Sequence, residues 1–536
     1  MIKNVKILVL FAVVMLATTG YGAERPRLVV NFVVGGLRCE EFDKCSSSFL
    51  SDGFRRFMEK GVVCSNSYYE FMQTNSAATL ATMTTGAAPS MHGVVGDKWV
   101  DYTTGTVVGL IADDTAESYG TDLGSSKVSN KNLVVPTLGD EVLDATEREG
   151  KVVTVAADVT SAIVMGGMKS RSVFWLDAAR GKWTTSNKYA GGLPMWVTDY
   201  NDADPEKSYL GQEWVPVFIP ETYKSKEATV INMDAAGKRV KSRRPTYRDY
   251  AKLQITPAGN YMVADFVKQV MVQEELGLDD NVDVLNVCFD ASRFVSEMYG
   301  PESLEAEDML YRMDLILSEL MNYIETRVGV AKDVLFVLTS DHGMSDSYDF
   351  GVEDPRPRFN VAQFRVLLNG FMAAHYGGEN WILEYSDRNI YLNRQQAYSM
   401  GLDVATVQRQ AATFVLQFRG ISHVLTSDDL MGGSFATSYG KLMQNGFYPK
   451  RSGDLMINLM PDWIEDEDEV RADSGSLYDY DRHVPLMFVG CDLEPMQIKE
   501  KVDMAQLPVT LAYIMGVERP AAAEVDEIEY FKELYK

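Results

Sequence analysis

After its first two dozen residues the chain has no apolar run long enough to cross a membrane, which excludes an integral span from the rest of the sequence. Cysteine is scarce as well. The five that exist, Cys39, Cys45, Cys64, Cys288 and Cys491, do not have the spacing of a zinc ribbon. Cys39 and Cys45 stand close enough in sequence to form a disulfide in an oxidising compartment, and the odd total leaves at least one thiol unpaired. Their roles read as structural or incidental, not catalytic. Basic residues are scarce: 51 Lys and Arg stand against 76 Asp and Glu, a formal net charge of −25. Such a chain is a poor partner for nucleic acid or an anionic membrane surface, and the excess charge serves solubility. No internal repeat is present.

The N-terminus has the order of an export signal. Lys3 and Lys6 precede the apolar run from Ile7 to Ala17, followed by the small residues Thr18, Thr19, Gly20 and Gly22 and then Glu24-Arg25-Pro26. This predicts a signal peptide over residues 1–22, cut near Gly22 or Ala23. No cysteine sits at the cut, so no lipoprotein anchor is expected. The mature protein is expected to be exported, periplasmic or extracellular.

Several short apolar, β-branched runs end in polar or glycine-rich turns. They are Leu28–Val34 before Gly35-Gly36, residues 152–157 before Asp158, residues 282–289 before Asp290, and Val334–Thr339 before Ser340-Asp341-His342-Gly343; residues 485–489 follow His483. Runs of this kind predict strands buried on both faces. Helical patterns lie between them at Phe54–Lys60, at residues 137–149 after Pro136, and at Leu304–Val328, where Leu310, Met313, Leu317 and Met321 share one face. The alternation predicts an α/β fold, a doubly wound, mostly parallel sheet with helices on both faces. Ligands in such folds sit beyond the carboxyl ends of the strands. Two stretches break the alternation, about 180–256 and about 350–470, and are read as insertions into one domain spanning 23–536. The second holds a strand pattern at residues 381–385, a helix pattern at 404–418 and the acidic run Glu465-Asp466-Glu467-Asp468-Glu469, which reads as a solvated face more readily than as a calcium site.

Three elements carry possible chemistry. Thr339-Ser340-Asp341-His342-Gly343 places two metal-ligand residue types at a strand end. His483, in Tyr480-Asp481-Arg482-His483-Val484-Pro485-Leu486, stands just before another strand. Ser76 opens the small-residue helix Asn75-Ser76-Ala77-Ala78-Thr79-Leu80, either as a plain cap or as a nucleophile on a helix N-terminus that suits an anion.

In that order, and together with Arg38, Gly96-Asp97-Lys98-Trp99, Tyr299-Gly300-Pro301 and Asp481 to Gly490, these elements resemble the alkaline phosphatase superfamily, which includes nucleotide pyrophosphatases and phosphodiesterases. Among its branches the sequence is most similar to bacterial monoesterases with a threonine nucleophile. The resemblance implies two-zinc phosphoryl transfer, with six side chains besides the nucleophile holding the metals. Ser76 falls at the nucleophile position, and Asp341, His342 and His483 match retained ligands. Gly35 stands where the first strand should end in an aspartate, and Arg293 and Glu297 replace an aspartate and a histidine. On the substrate side Asp97 takes the place of an asparagine, and Asp158 and Thr160 that of a lysine and an arginine.

Three of six ligands are thus altered, and Arg293 sets a permanent cation at a metal position, where Glu297 and Asp341 are expected to pair with it. The expectation is a catalytically inactive pseudophosphatase, with no zinc or substoichiometric zinc, kept as a binding or scaffold module of the cell envelope for an envelope protein or a small anionic ligand. The alternative is a residual metal-dependent phosphomonoesterase or phosphodiesterase. It would use Ser76 with a reduced site, or an altered one in which Glu297 or Asp290 joins His483.

Overall fold

A computed structural model describes residues 25–535, apart from 121–126, 226–229, 234–238, 243–249, 348–357, 436–437 and 467–469. The expected signal peptide and the end of the acidic run at 467–469 lie outside the described residues.

A ten-stranded sheet forms the centre. Along the chain its strands are β1 (Leu28–Val34), β2 (Val62–Cys64), β3 (Ser118–Tyr119), β4 (Val152–Ala156), β5 (Ser172–Asp177), β6 (Lys182–Ser186), β7 (Asp283–Phe289), β8 (Val334–Thr339), β9 (Leu486–Gly490) and β10 (Met496–Ile498). Their spatial order is β10-β2-β9-β8-β1-β7-β4-β5-β6-β3. The middle of the sheet, β8-β1-β7-β4-β5, is parallel, and antiparallel pairs flank it on both sides. The sheet is therefore mixed and mostly parallel, as the alternating pattern requires.

β1 shows why its sequence belongs at the centre. With a side-chain period of two, Leu28, Val30, Phe32 and Val34 join the core under one face while Val29 and Val33 join the core under the other. The first core is roofed by the helices Pro257–Gln273 and Leu304–Val328, the second by Ser76–Thr85, Val159–Gly166 and Gln506–Met515. The long helix has the forecast bounds because both of its ends are capped: the Ser303 side chain accepts from the Ala306 amide, and Gly329 closes the other end at φ 81°. The helix expected over residues 137–149 stops sooner, at Ala145, since Glu147 and Arg148 take φ of 51° and 70°. Residues 404–418 likewise yield a helix only over Val404–Val415.

One expectation fails on geometry. Cys39 and Cys45 begin and end a single α-helix, Cys39–Cys45, and all five cysteines are free thiols. Six residues of helical rise separate the two Cα atoms by roughly 9 Å, beyond the reach of a disulfide.

Within the second irregular stretch, Ile382–Ser386, Asn389–Leu392, Leu455–Leu459 and Ile421–Thr426 form a separate four-stranded antiparallel sheet with its own core around Phe364, Leu368 and Trp381. Its first hairpin reaches the carboxyl edge of the central sheet, where Asp387 meets Asp97.

Candidate functional site

Three adjacent parallel strands end together. Gly35 follows β1, Asp290 follows β7 and Asp341 comes two residues after β8. Asp341 is fully buried and tied down by backbone: its Oδ1 accepts from the Gly36 and His342 amides, each at 2.8 Å. Burial pushes its carboxyl up, but His342, Arg293 and these hydrogen bonds outweigh that and hold it below the usual carboxylate range.

Ser76 faces this carboxylate. Asn75, not Ser76, caps the Ser76–Thr85 helix, accepting from the Ala78 amide, so the plain-cap reading of Ser76 is replaced. The Ser76 hydroxyl is free to donate to Asp341 Oδ2 at 2.7 Å and lies 3.2 Å from His342 Nε2. His342 Nδ1 is 2.6 Å from the Gly343 carbonyl. A carbonyl only accepts, so Nδ1 donates to it, while Nε2 faces the oxygen of Ser76, whose one proton goes to Asp341.

Arg293 fills the space beside them. It lies on the Ala291–Tyr299 helix, and its guanidinium reaches four carboxylates: Asp158 at 3.2 Å, Glu297 and Asp341 at 3.8 Å, and Asp290 at 4.0 Å. Burial disfavours its charge, yet Glu297, Asp158, Asp341 and Asp290 together hold it above the ordinary guanidinium range. Glu297 is pushed up to about 7 by burial, with Arg293 pulling the other way and Asp473 and Asp341 adding to the rise. Asp290 is raised by burial and by Asp158, while the Asp158 amide and the Ser161 hydroxyl donate to it. Gly35 presents no side chain, and a Cβ there would stand 2.9 Å from Arg293 Cβ.

Asp158 and Thr160 have a local role too. The Asp158 side chain caps the Val159–Gly166 helix by accepting from the Thr160 amide at 3.4 Å. Asp97 opens to solvent at the cleft mouth, and its partial enclosure and Asp158 raise its carboxyl against the pull of Arg293.

Residues that the sequence did not single out complete the cleft. Asp387 and Arg388 are the two-residue tip of the hairpin between Ile382–Ser386 and Asn389–Leu392, both left-handed at φ 48° and 62°, as a type I′ turn demands. Arg388 is buried, 2.7 Å from Glu465 and paired with Asp473. Asp387 is pushed up to about 7 by burial and by Asp97. Gly96 allows this approach, since a Cβ there would stand 2.2 Å from Asp387 Oδ2. No sequence signal marks Arg388, because glycine or asparagine is the residue expected at a left-handed turn position.

His483 is not brought to this cluster. It pairs by a lone bridge with Tyr68, its ring stacks on Tyr68 at 4.6 Å, and Nε2 lies 3.4 Å from the Ser65 carbonyl. The backbone of Asp481 touches the site through its carbonyl, which accepts from the Gly343 amide at 2.8 Å; two residues later the chain has turned away.

The model of the type I phosphodiesterase / nucleotide pyrophosphatase family matches residues 29–473. The chain belongs to that family. It is 26% identical over 511 residues to the alkaline phosphatase PafA of Elizabethkingia meningoseptica, covering 93% of each chain. It is 24% identical over 520 residues to the alkaline phosphatase PhoV of Synechococcus elongatus, covering 93% of this chain and 92% of that one. The crystal structure of wild-type PafA superimposes with a TM-score of 0.88, covering 94% of this chain and 99% of that chain. Murine ectonucleotide pyrophosphatase/phosphodiesterase 5 shares the fold at 13% identity and a TM-score of 0.53.

A pair of zinc ions does not fit the donors present in this family member. Zinc needs about four N, S or O donors around each ion. Here a guanidinium stands among the carboxylates, Gly35 contributes no donor, and His483 is bound up with Tyr68 and Ser65. Among the described residues no three His, Cys, Asp or Glu side chains are grouped to hold a metal.

Proposed function

We propose that this is an exported, periplasmic or extracellular, pseudophosphatase: a family member that has lost two-zinc phosphoryl transfer and serves as a binding or scaffold module in the cell envelope. The observation that carries this reading is Arg293 lying within 4.0 Å of Asp158, Asp290, Glu297 and Asp341. The guanidinium supplies one fixed positive charge where the family resemblance implies a dication, hydrogen-bonded to Asp158 and with the other three carboxylates at 3.8–4.0 Å. Asp97, Asp158, Asp387 and Glu297 make the cleft acidic, which repels a phosphate dianion. The acidic rim favours an envelope protein over a small anion as the partner.

The test is metal analysis and turnover on one preparation. Mature protein purified without chelator should hold far less than two zinc ions per chain, and aryl phosphate hydrolysis should be negligible and unchanged in Ser76→Ala. Near-stoichiometric zinc, with a zinc-dependent rate lost in Ser76→Ala, overturns the proposal.

A second reading rests on a specific observation. Ser76 Oγ lies 2.7 Å from Asp341 Oδ2 and 3.2 Å from His342 Nε2, so three donors face one point. A residual phosphomonoesterase or phosphodiesterase with one metal would use that trio. The same measurement separates it, since one zinc per chain with Ser76-dependent turnover is its signature.

A further inference from the structure

We propose that the cavity beside His483 binds a small amphipathic amine, an apolar body carrying a protonated nitrogen. The cavity measures about 490 Å³, within the range of roughly 300–1,000 Å³ typical of small-molecule sites. It lies between the Cys39–Cys45 helix and the edge strand β10 with its neighbour β2, apart from the Ser76 cleft, so it is independent of the reading given above.

Its two ends differ in chemistry. Phe42, Met58, Val63 and Met487 line an apolar part. Methionines are flexible and polarisable, and they adapt to apolar ligands of varied shape. The polar part carries the Asp43 carboxylate, with Ser65, Gln497, His483 and the Cys39 thiol around it. Burial raises the Asp43 carboxyl, and His483 pulls it the other way. Ser65 spends its hydroxyl proton on the Ile498 carbonyl at 3.1 Å, which leaves oxygen lone pairs. His483 is held by its stack on Tyr68, and its Nε2 faces the Ser65 carbonyl, which can only accept; Nδ1 is the remaining ring nitrogen.

A ligand that satisfies acceptors must donate, and beside a carboxylate the best donor is a cation. Among the described residues no lysine or arginine lines the cavity, so a carboxylate or sulfate head finds only Gln497 and His483 to donate to it and meets the repulsion of Asp43. The net charge of −25 adds attraction for cations at long range.

The experiment titrates mature protein with octylamine, octanol and octanoate, each well below aggregation, by calorimetry. Octylamine should bind saturably at one site per chain, octanol more weakly and octanoate not measurably. Asp43→Asn should weaken octylamine about tenfold, the equivalent of losing one charge-assisted hydrogen bond, and leave octanol unchanged. Met496→Trp, at an exposed position of the rim, should weaken both by filling the mouth. Octanoate binding as tightly as octylamine, an Asp43→Asn variant that binds octylamine normally, or uptake that never saturates each overturns the proposal. Zinc content and phosphatase turnover have no bearing on any of these outcomes.

Discussion

Replacing Arg293 with methionine removes the charge while keeping much of the side chain's volume, and its cost follows from the distances. At an effective dielectric near 20, a contact of about 4 Å between unit charges is worth roughly 4 kcal/mol. Desolvation of the guanidinium offsets a large part of that attraction, and the side chain is only 14% exposed. Stranding the partners of a buried pair costs roughly 3–5 kcal/mol, which is the loss expected for Arg293→Met at pH 8. The loss should depend on pH. Glu297 is already raised to about 7 with the arginine in place, and without it the neighbouring carboxyls rise further. Acids whose folded pKa exceeds the unfolded value destabilise the fold above that folded pKa, and the penalty fades as pH falls toward the unfolded value. The gap between wild type and variant should therefore narrow from pH 8 to pH 5. Arg293→Lys, which keeps the charge, should recover most of the stability. Urea unfolding at both pH values measures this. A loss below about 1 kcal/mol, or one of equal size at pH 5 and pH 8, would refute the claim that Arg293 neutralises this cluster.

Asp387→Asn should stabilise the protein above pH 7 by about 1–3 kcal/mol, because the carboxyl is pushed up to about 7 and its charged form is the costly one; the gain should shrink as pH falls and vanish only below the ordinary aspartate value of 3.8, as unfolding against pH will tell. Gly36→Ala should cost at least about 1 kcal/mol, since Gly36 sits at φ +68° and a Cβ would stand 2.6 Å from Met344 Cε; thermal melting is the check. Denatured, unreduced protein should give five titratable thiols per chain, matching the five free cysteines, and a count of three would show that one disulfide forms.

The strands of the centre were legible because burial on both faces leaves little choice of residue. β1 and β8 have the bounds that their apolar runs predicted; Gly35 follows the first and Asp341 stands two residues after the second. Helix ends depended on whether a cap was visible. Ser303 and Gly329 mark Leu304–Val328 in the sequence, whereas nothing announces that Glu147 and Arg148 leave the helix in left-handed conformations. The cysteine pairing fails because closeness in sequence is not closeness in space, and a helix converts six residues into a rise that no disulfide spans.

The site divides along the same line. Arg293, Glu297 and Asp341 were legible as a group because the strands before them have a register fixed by the parallel ladder, whereas Asp158, read as a substrate-side position, joins them as a partner of Arg293 in the structure. His483 precedes its strand by three positions and lies beyond a short helix, Asp479–Arg482, so the chain has room to turn its side chain outward to Tyr68. Arg388 was invisible for the opposite reason: its place depends on a hairpin from a separate sheet, and its left-handed turn position is one that sequence preference assigns to other residues. Buried ion pairs with Glu465 and Asp473 hold it there. Two buried guanidinium groups, Arg293 from the core and Arg388 from the hairpin, thus face the carboxylates of one cleft, and Asp473 ties them together, since it pairs with Arg388 and also raises the Glu297 that pairs with Arg293. Because these two cations are covalently attached to the fold, the proposed pseudophosphatase needs no exchangeable ion to keep its acids in place, and chelation should leave its stability unchanged.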